Sequence, residues 1–365
     1  MRRRVTLSLV MIVYCIGILL VLDLIYSNFF SHENQRPAGI RDARYDHGFA
    51  ANYAGDDHWG PLYHPFYTNS LGFKDGMVRT ISAKSDVRRV LLIGDSFTEG
   101  MGMGFDETFA GMLYKAGQAR AEKIEFLNAG VALYSPVIYF QKIKFLLECG
   151  LTFDEVVVFL DLSDIAEEAT RFFCFDDDPR YKRYCDTNEG LDPNEKFKEW
   201  IRRNLVTLYR TRLMIRRAIE AWQGDGFNAE GALAIDSAEN AETSWTFPAS
   251  TSALPPLGRD GGIARALKNM QRLADLLAEH GIAMTIVVYP WPVQLAHDDR
   301  DSVQVAIWRE FCAKNCKAFI NLFPAFFSAK DDHPDWYSRL FIHGDVHFSA
   351  GGHELVFHEL ARRLY

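Results

Sequence analysis

Five short apolar runs punctuate the chain from Val87 onward: "VRRVLLIGDS", "KIEFLNAGV", "EVVVFLDLS", "AMTIVVYP" and "KAFINLFP". They are continuous rather than alternating, which marks strands covered on both faces. Segments with helical spacing separate them, so the pattern predicts an α/β domain built on a parallel five-stranded sheet with helices on both sides. Between the third and fourth runs the rhythm breaks. "NEKFKEWIRRNLVTLYRTRLMIRRAIEAW" places Leu205, Leu208, Leu213 and Ile215 at helical spacing and gathers Arg202, Arg203, Arg210, Arg212, Arg216 and Arg217 on a basic face. An Ala-, Ser-, Gly- and Pro-rich stretch follows, so a helical and loop insertion is expected at about 171–258. The basic face reads as a solvated surface or as a site for an anionic glycan or lipid headgroup.

Ahead of the domain the pattern is of another kind. "MRRR" precedes a run without charge from Val5 to Leu22, long enough to cross a bilayer. With the arginines kept cytoplasmic, one transmembrane helix in 1–30 would send the rest outward, in a bacterium from the inner membrane into the periplasm. No small-x-small cleavage site follows, which favours a retained anchor over a cleaved signal peptide. The polar, glycine-bearing segment 31–66 reads as a stalk, and the domain as 67–365.

The composition, 48% hydrophobic and 24% charged, is that of a globular chain, and a formal net charge of -8 argues against a nucleic-acid binder. Of six cysteines, Cys174 and Cys185 bracket a polar loop that a disulfide can close in an oxidising compartment, and Cys312 and Cys316 can also pair. Free thiols are the alternative. Metal-ligand spacings do not occur near them, and no metal or cofactor is expected.

The first apolar run ends abruptly in Gly94, Asp95 and Ser96. Such residues make ordinary strand ends, yet a serine at the carboxyl edge of a parallel sheet also stands where open α/β folds place their sites. A serine nucleophile needs a base oriented by a carboxylate. "LFIHGDVHFSAGGHELVF" supplies Asp345 and His347 two residues apart, before a terminal helix. An acyl-transfer intermediate needs donors for its oxyanion. Asn128 and Gly130 end the second run, Asp161, Ser163 and Asp164 the third, and Tyr289 and Trp291 the fourth, where they pack in the core or stack on sugar rings.

In this order, "GDSFTEG", Gly130 in "NAG", the polar cluster after the third strand and a late Asp and His resemble the GDSL or SGNH hydrolases, over about Val87 to Tyr365 with 171–258 as insertion. The resemblance implies a flavodoxin-like three-layer fold with Ser96 as nucleophile, His347 as base and Asp345 as its orienting carboxylate. It also implies oxyanion donors from the Ser96 and Gly130 amides. Asp95, Asn128, Asp161, Asp164, Tyr289 and Trp291 become candidate substrate-binding residues. There are two departures. The family's G-x-N-D block reads Asp161-Leu162-Ser163-Asp164, so Ser163 stands where an asparagine donor is usual, and a hydroxyl reaches less far than an amide. Three before His347 stands Gly344 where an aspartate is commoner, and the resulting D-x-H is more similar to the membrane-associated branch acting on exported polysaccharides, alginate acetylation proteins included. The expected function is a serine esterase or O-acyltransferase on acyl, foremost acetyl, groups of a cell-envelope or exported polysaccharide, with polysaccharide assembly proteins as partners. Alternatives are a lipid or thioester hydrolase on the same triad, or a catalytically weakened glycan-binding component.

Overall fold

The computed structural model describes residues 2–29, 38–59, 62–185 and 254–365, with Trp245, Thr246 and scattered positions between 200 and 215. Within α1 (Arg2–Phe29) the side chains of 2–10, 12–13 and 29 lie outside the described residues. The expected membrane span gains no support here: among the described residues no helix is long and apolar enough to cross a membrane. Of the basic face, Arg202, Arg203, Arg210, Arg216 and Arg217 also lie outside the described residues, as does Leu213.

Two units are distinguished. Met1–Pro37 and Thr187–Phe227 form one, in which the Asp23 carboxylate of α1 accepts the amides of Thr207 and Leu208 at 2.9 and 2.8 Å. Ala38–Asp186 and Asn228–Tyr365 form the other. The segment read as a stalk is folded from Gly39 onward. β1 (Gly39–Asp42) pairs with β2 (Asp46–Phe49), while β3 (Ala54–Trp59) and β4 (Leu62–Thr68) make an antiparallel hairpin. Its faces alternate only partly between buried and exposed, so it carries little of the pattern that announces a buried strand.

That hairpin joins the main sheet. β5 (Lys74–Asp75), β6 (Arg88–Ile93), β7 (Ile124–Asn128), β8 (Glu155–Leu160), β9 (Ala283–Val288) and β10 (Ala318–Asn321) complete eight strands in the order β10-β9-β8-β6-β7-β5-β4-β3. The expected parallel five-stranded sheet is therefore corrected to a mixed eight-stranded one. The five predicted runs are its parallel part, in the order of a doubly wound flavodoxin-like sheet. β5, β4 and β3 extend it antiparallel beyond β7. Val90, Leu91, Leu92 and Ile93 of β6 and Val156, Val157 and Val158 of β8 are wholly buried.

Around the nucleophile come α2 (Ser96–Glu99), α3 (Phe109–Gln118), α4 (Pro136–Glu148) and α5 (Ser163–Thr170), then α6 (Pro179–Lys182) at the start of the insertion. α7 (Gly258–Glu279), α8 (Pro292–His297), α9 (Val303–Asn315), α10 (Phe323–Asp332), α11 (Trp336–Leu340) and α12 (Ala350–Leu364) follow. α7 packs on α4, α5 and α9, whereas α12 packs on α3, α10 and α11. Right-handed crossovers send connections made on either side of β6 to opposite faces, which separates these groups into two layers about the sheet. The glycine-rich excursion also contributes to the core: Trp245 is fully buried and its indole N–H donates to the Leu162 carbonyl at 2.8 Å. Both cysteine pairs, Cys174–Cys185 and Cys312–Cys316, are disulfide-bonded.

Candidate active site

Every candidate site residue except the Asp345–His347 pair sits at or just past the carboxyl end of a parallel strand, beside the point where the chain leaves β7 for the other side of β6. β6 stops at Gly94 because nothing larger fits. A Cβ there would lie 2.1 Å from Thr98 Oγ1 and 2.9 Å from Phe159 Cβ. Asp95 caps α2 by accepting the Phe97 amide at 3.0 Å, and Gly100 ends the helix at a positive φ of 78°. Ser96, at the first position of this single turn, is half-buried and presents its hydroxyl.

His347 reaches it. Ser96 Oγ donates to His347 Nε2 at 2.9 Å, and His347 Nδ1 donates to Asp345 Oδ1 at 2.5 Å, the tautomer being set by a carboxylate that can only accept. The Asp-x-His spacing works locally. Asp345 Oδ1 also accepts the backbone N–H of His347 at 2.9 Å, so one oxygen holds both the ring and the chain that carries it. Gly344, at φ 74°, turns the loop into Asp345, and bonds from Ile342 N to His347 O and from Ser349 N to Leu340 O close it. Burial pushes the Asp345 carboxyl upward, but the His347 hydrogen bond and charge, with the Trp59 indole, bring it down to about 2. It is ionised at any pH where His347 acts as a base. Ser96, His347 and Asp345 thus have the connectivity of a nucleophile, base and orienting acid.

The expected oxyanion donors fare differently. The Ser96 amide opens α2 and is one of those a helix start leaves without an intrahelical acceptor. The Gly130 amide, by contrast, donates to Asn128 Oδ1 at 3.0 Å. Asn128 itself is buried, with its Nδ2 on the Thr98 carbonyl at 2.8 Å, so it braces the loop rather than facing a substrate. Gly130 is needed for closeness: a Cβ would come within 2.8 Å of the Glu99 amide nitrogen. The Ser163 hydroxyl donates to Asp161 Oδ1 at 2.8 Å.

Beneath the nucleophile lies a buried acidic group. Asp161 accepts the Ser163 amide (2.7 Å) and hydroxyl on Oδ1, and Trp291 Nε1 (2.8 Å) and the Tyr289 hydroxyl (3.4 Å) on Oδ2. Asp164 accepts the Asp161 amide at 2.7 Å and the Tyr139 hydroxyl at 2.8 Å. Burial, then the neighbouring charge of Asp161, pushes both Asp95 and Asp164 well above the usual carboxylate range. These residues and Tyr289 point inward with their bonds satisfied by one another. Trp291 and Ser163 are half-buried. Asp95, Asn128, Asp161, Asp164 and Tyr289 are thus buried at the strand ends and bonded to neighbouring groups of the protein.

Three residues at the site escape a reading of the sequence alone. Trp59, at the end of β3, donates its indole N–H to Asp345 Oδ2 at 2.5 Å and stands edge-on to His347 at 5.4 Å between ring centroids. Phe97 packs against the other side, 5.0 Å from His347 and 5.7 Å from Trp291. The Tyr337 hydroxyl donates to the Asp345 carbonyl at 2.9 Å and accepts its amide at 3.0 Å. The Gly-Pro dipeptide that follows Trp59 in the sequence was the available signal for the first. The described residues contain no group of His, Cys, Asp and Glu arranged to hold a metal ion.

No family model matches the chain, and no curated protein matches its sequence. Among solved structures it is similar to a psychrotrophic esterase from Pseudoalteromonas sp. (11% identity, 76% of this chain and 96% of that one, TM-score 0.40). It is also similar to an acetylxylan esterase from Geobacillus stearothermophilus (10%, 77% and 95%, TM-score 0.41). A lipase/acylhydrolase from Enterococcus faecalis is a third (14%, 76% and 95%, TM-score 0.38). Likeness at this level carries no weight for function, which rests on the geometry of the serine site.

Proposed function

We propose that the protein is an SGNH-type serine hydrolase or acyltransferase working on ester-linked acyl groups. The single observation that carries this is the unbroken relay from Ser96 Oγ through His347 to an ionised Asp345. His347 Nε2 takes the Ser96 proton as Oγ bonds to the ester carbonyl carbon, and the developing oxyanion meets the Ser96 amide. Collapse expels the alcohol, which takes the proton back from His347 and leaves an acyl-enzyme. Water or a sugar hydroxyl then attacks the acyl carbon, delivering its proton to His347, and the acyl–Oγ bond breaks as Ser96 Oγ takes that proton back from His347. The preferred substrate is an O-acetylated cell-envelope or exported polysaccharide. The D-x-H resemblance and the half-buried Trp291 support that choice. The arginines before the apolar run Val5 to Leu22 support a single-pass anchor in a bacterial inner membrane, with the catalytic unit in the periplasm.

One observation favours a second reading. The Gly130 amide and the Ser163 hydroxyl are both engaged within the protein, which suits a weakened enzyme acting as a glycan-binding component. Hydrolysis of p-nitrophenyl acetate by the full-length protein beside Ser96→Ala separates the two. Turnover that vanishes in the variant supports the enzyme; turnover equal in both removes it. Acetate release from acetylated polysaccharide, compared with release from simple lipids and thioesters, then identifies the substrate class.

A further inference from the structure

The antiparallel strands beyond β7 place one side chain in contact with the triad. β3 and β4 pair from Ala54–Tyr67 to Trp59–Leu62, so Trp59 lies at the end of the hairpin nearest the nucleophile loop. The loop after α2 comes up to meet it at Gly102, whose φ is 79° and whose missing Cβ would sit 2.8 Å from Ile342 Cδ1 and 3.6 Å from Trp59 Cβ. A strand end, the loop behind Ser96 and the loop carrying Asp345 and His347 therefore converge on one indole. Asp345 divides its oxygens: Oδ1 serves His347, and Oδ2 accepts from Trp59. Trp59 as a residue is 36% exposed, so the indole's place is held by that bond and by the T-shaped contact with His347 rather than by enclosure.

We propose that Trp59 is a positioning residue of the triad, fixing the second carboxylate oxygen of Asp345 and the edge of His347 so that the hairpin sets the orientation of the base. This rests on the serine-hydrolase reading. An orienting carboxylate held at one oxygen only is free to swing about its Cβ–Cγ bond, and the imidazole would follow it; a donor on the other oxygen removes that freedom. The donor also withdraws charge from the carboxylate and so tempers its pull on the Nδ1 proton. The other titratable groups facing the pair are the Ser96 hydroxyl on Nε2, the Tyr337 phenol on the Asp345 backbone, His343 beside Tyr337, and His353 of α12, which senses the charge of His347.

Trp59→Phe in the full-length protein keeps a ring and removes the donor. With p-nitrophenyl acetate, kcat is expected to fall about tenfold, with KM within about twofold. The acid limb of kcat/KM should move upward by several tenths of a pH unit, because an Asp345 with one donor fewer holds the His347 proton more tightly. In a cycle with Asp345→Asn, adding Trp59→Phe should cost nothing further, since the two act through one carboxylate. Trp59→His, which retains a ring N–H, should keep most of the wild-type kcat and serves should Trp59→Phe fold poorly. An unmoved limb, or losses that multiply in the cycle, would overturn the proposal in favour of plain packing. The downfield proton resonance of His347 Nδ1–H gives a readout without turnover. It should shift in Trp59→Phe even if the wild type hydrolyses no ester, so failure of the hydrolase reading and failure of this one are told apart.

Discussion

At the scale of single residues, the serine site makes sharp demands. Ser96→Ala and His347→Ala should each remove nearly all ester hydrolysis without unfolding the protein. Asp345→Asn, which can no longer favour the Nδ1–H tautomer, should lower kcat by on the order of 10⁴. The double variant Ser96→Ala/His347→Ala should be little worse than Ser96→Ala, since the members act as a unit. Asp345 is also a stability group. Its folded pKa of about 2 lies below the ordinary 3.8, so its contribution is present above about pH 4 and is lost as pH falls through 2. Acid titration of unfolding should show that loss in the wild type and a flatter profile in Asp345→Asn. Much of this was legible beforehand, because Ser96 follows a continuous apolar run and because Asp345 and His347 act across two residues of chain. The fate of Gly130 was not. An N–H that faces an oxyanion and one that is donated to Asn128 look the same in sequence, and only folded geometry chooses between them.

Elements explain why the corner after β8 behaves as support. The expectation that Ser163 replaces the usual asparagine weakens once its hydroxyl is seen on Asp161, so Ser163→Ala should change kcat less than tenfold, against about 10²–10³ for losing a true oxyanion donor. A fall of a hundredfold with unchanged KM would restore Ser163 to the oxyanion site. Asp95 at the end of β6 and Asp161 at the end of β8 face each other in the interior, and burial with the Asp161 charge keeps the Asp95 proton bound well above its ordinary pKa. A raised carboxyl pKa means the folded state holds more protons, so Asp95 subtracts stability as pH rises above about 4. Asp95→Asn keeps the acceptor for the Phe97 amide and needs no proton. Thermal unfolding at pH 7–8 should therefore show a higher midpoint in Asp95→Asn, and a lower one would contradict the proton held there. Gly130→Ala should be costly, by about 1–3 kcal/mol for an overpacked contact, because Thr98 and the Glu99 backbone leave no room. The element-level surprise is the hairpin. β3 and β4 mix charged, aromatic and proline positions, so their sheet membership comes from pairing with one another and, through β4, with β5, whose Lys74 meets Asn128 of β7, a long-range choice that local pattern does not carry.

Over the whole molecule, the parallel part of the sheet was readable from five apolar runs, of which β6, β8 and β9 are the most fully buried and the edge strand β10 only partly so. The three antiparallel strands were not, β5 being only two residues long. The insertion was visible as a break in rhythm, yet its Trp245 packs into the core and bonds Leu162 beside Ser163. Trp245→Phe should therefore destabilise the protein by about 1–3 kcal/mol by leaving that carbonyl short of a donor, a change read by denaturant unfolding. The two disulfides suit the oxidising compartment that the proposed periplasmic placement supplies. Peptide mapping without reduction should find Cys174 joined to Cys185 and Cys312 to Cys316, and a reporter placed after Tyr365 should be active outside the cytoplasm and sediment with membranes. Recovery of a cleaved, freely soluble form would remove the anchor from the proposal.

The central claim is that Ser96 is a nucleophile activated by His347. Full-length protein treated with a fluorophosphonate, which modifies activated serines covalently, should gain one adduct, and fragment masses should place it on Ser96. Labelling should be lost in Ser96→Ala and slowed at least a hundredfold in His347→Ala. An adduct on another residue, or labelling of Ser96 at the same rate without His347, would contradict the account.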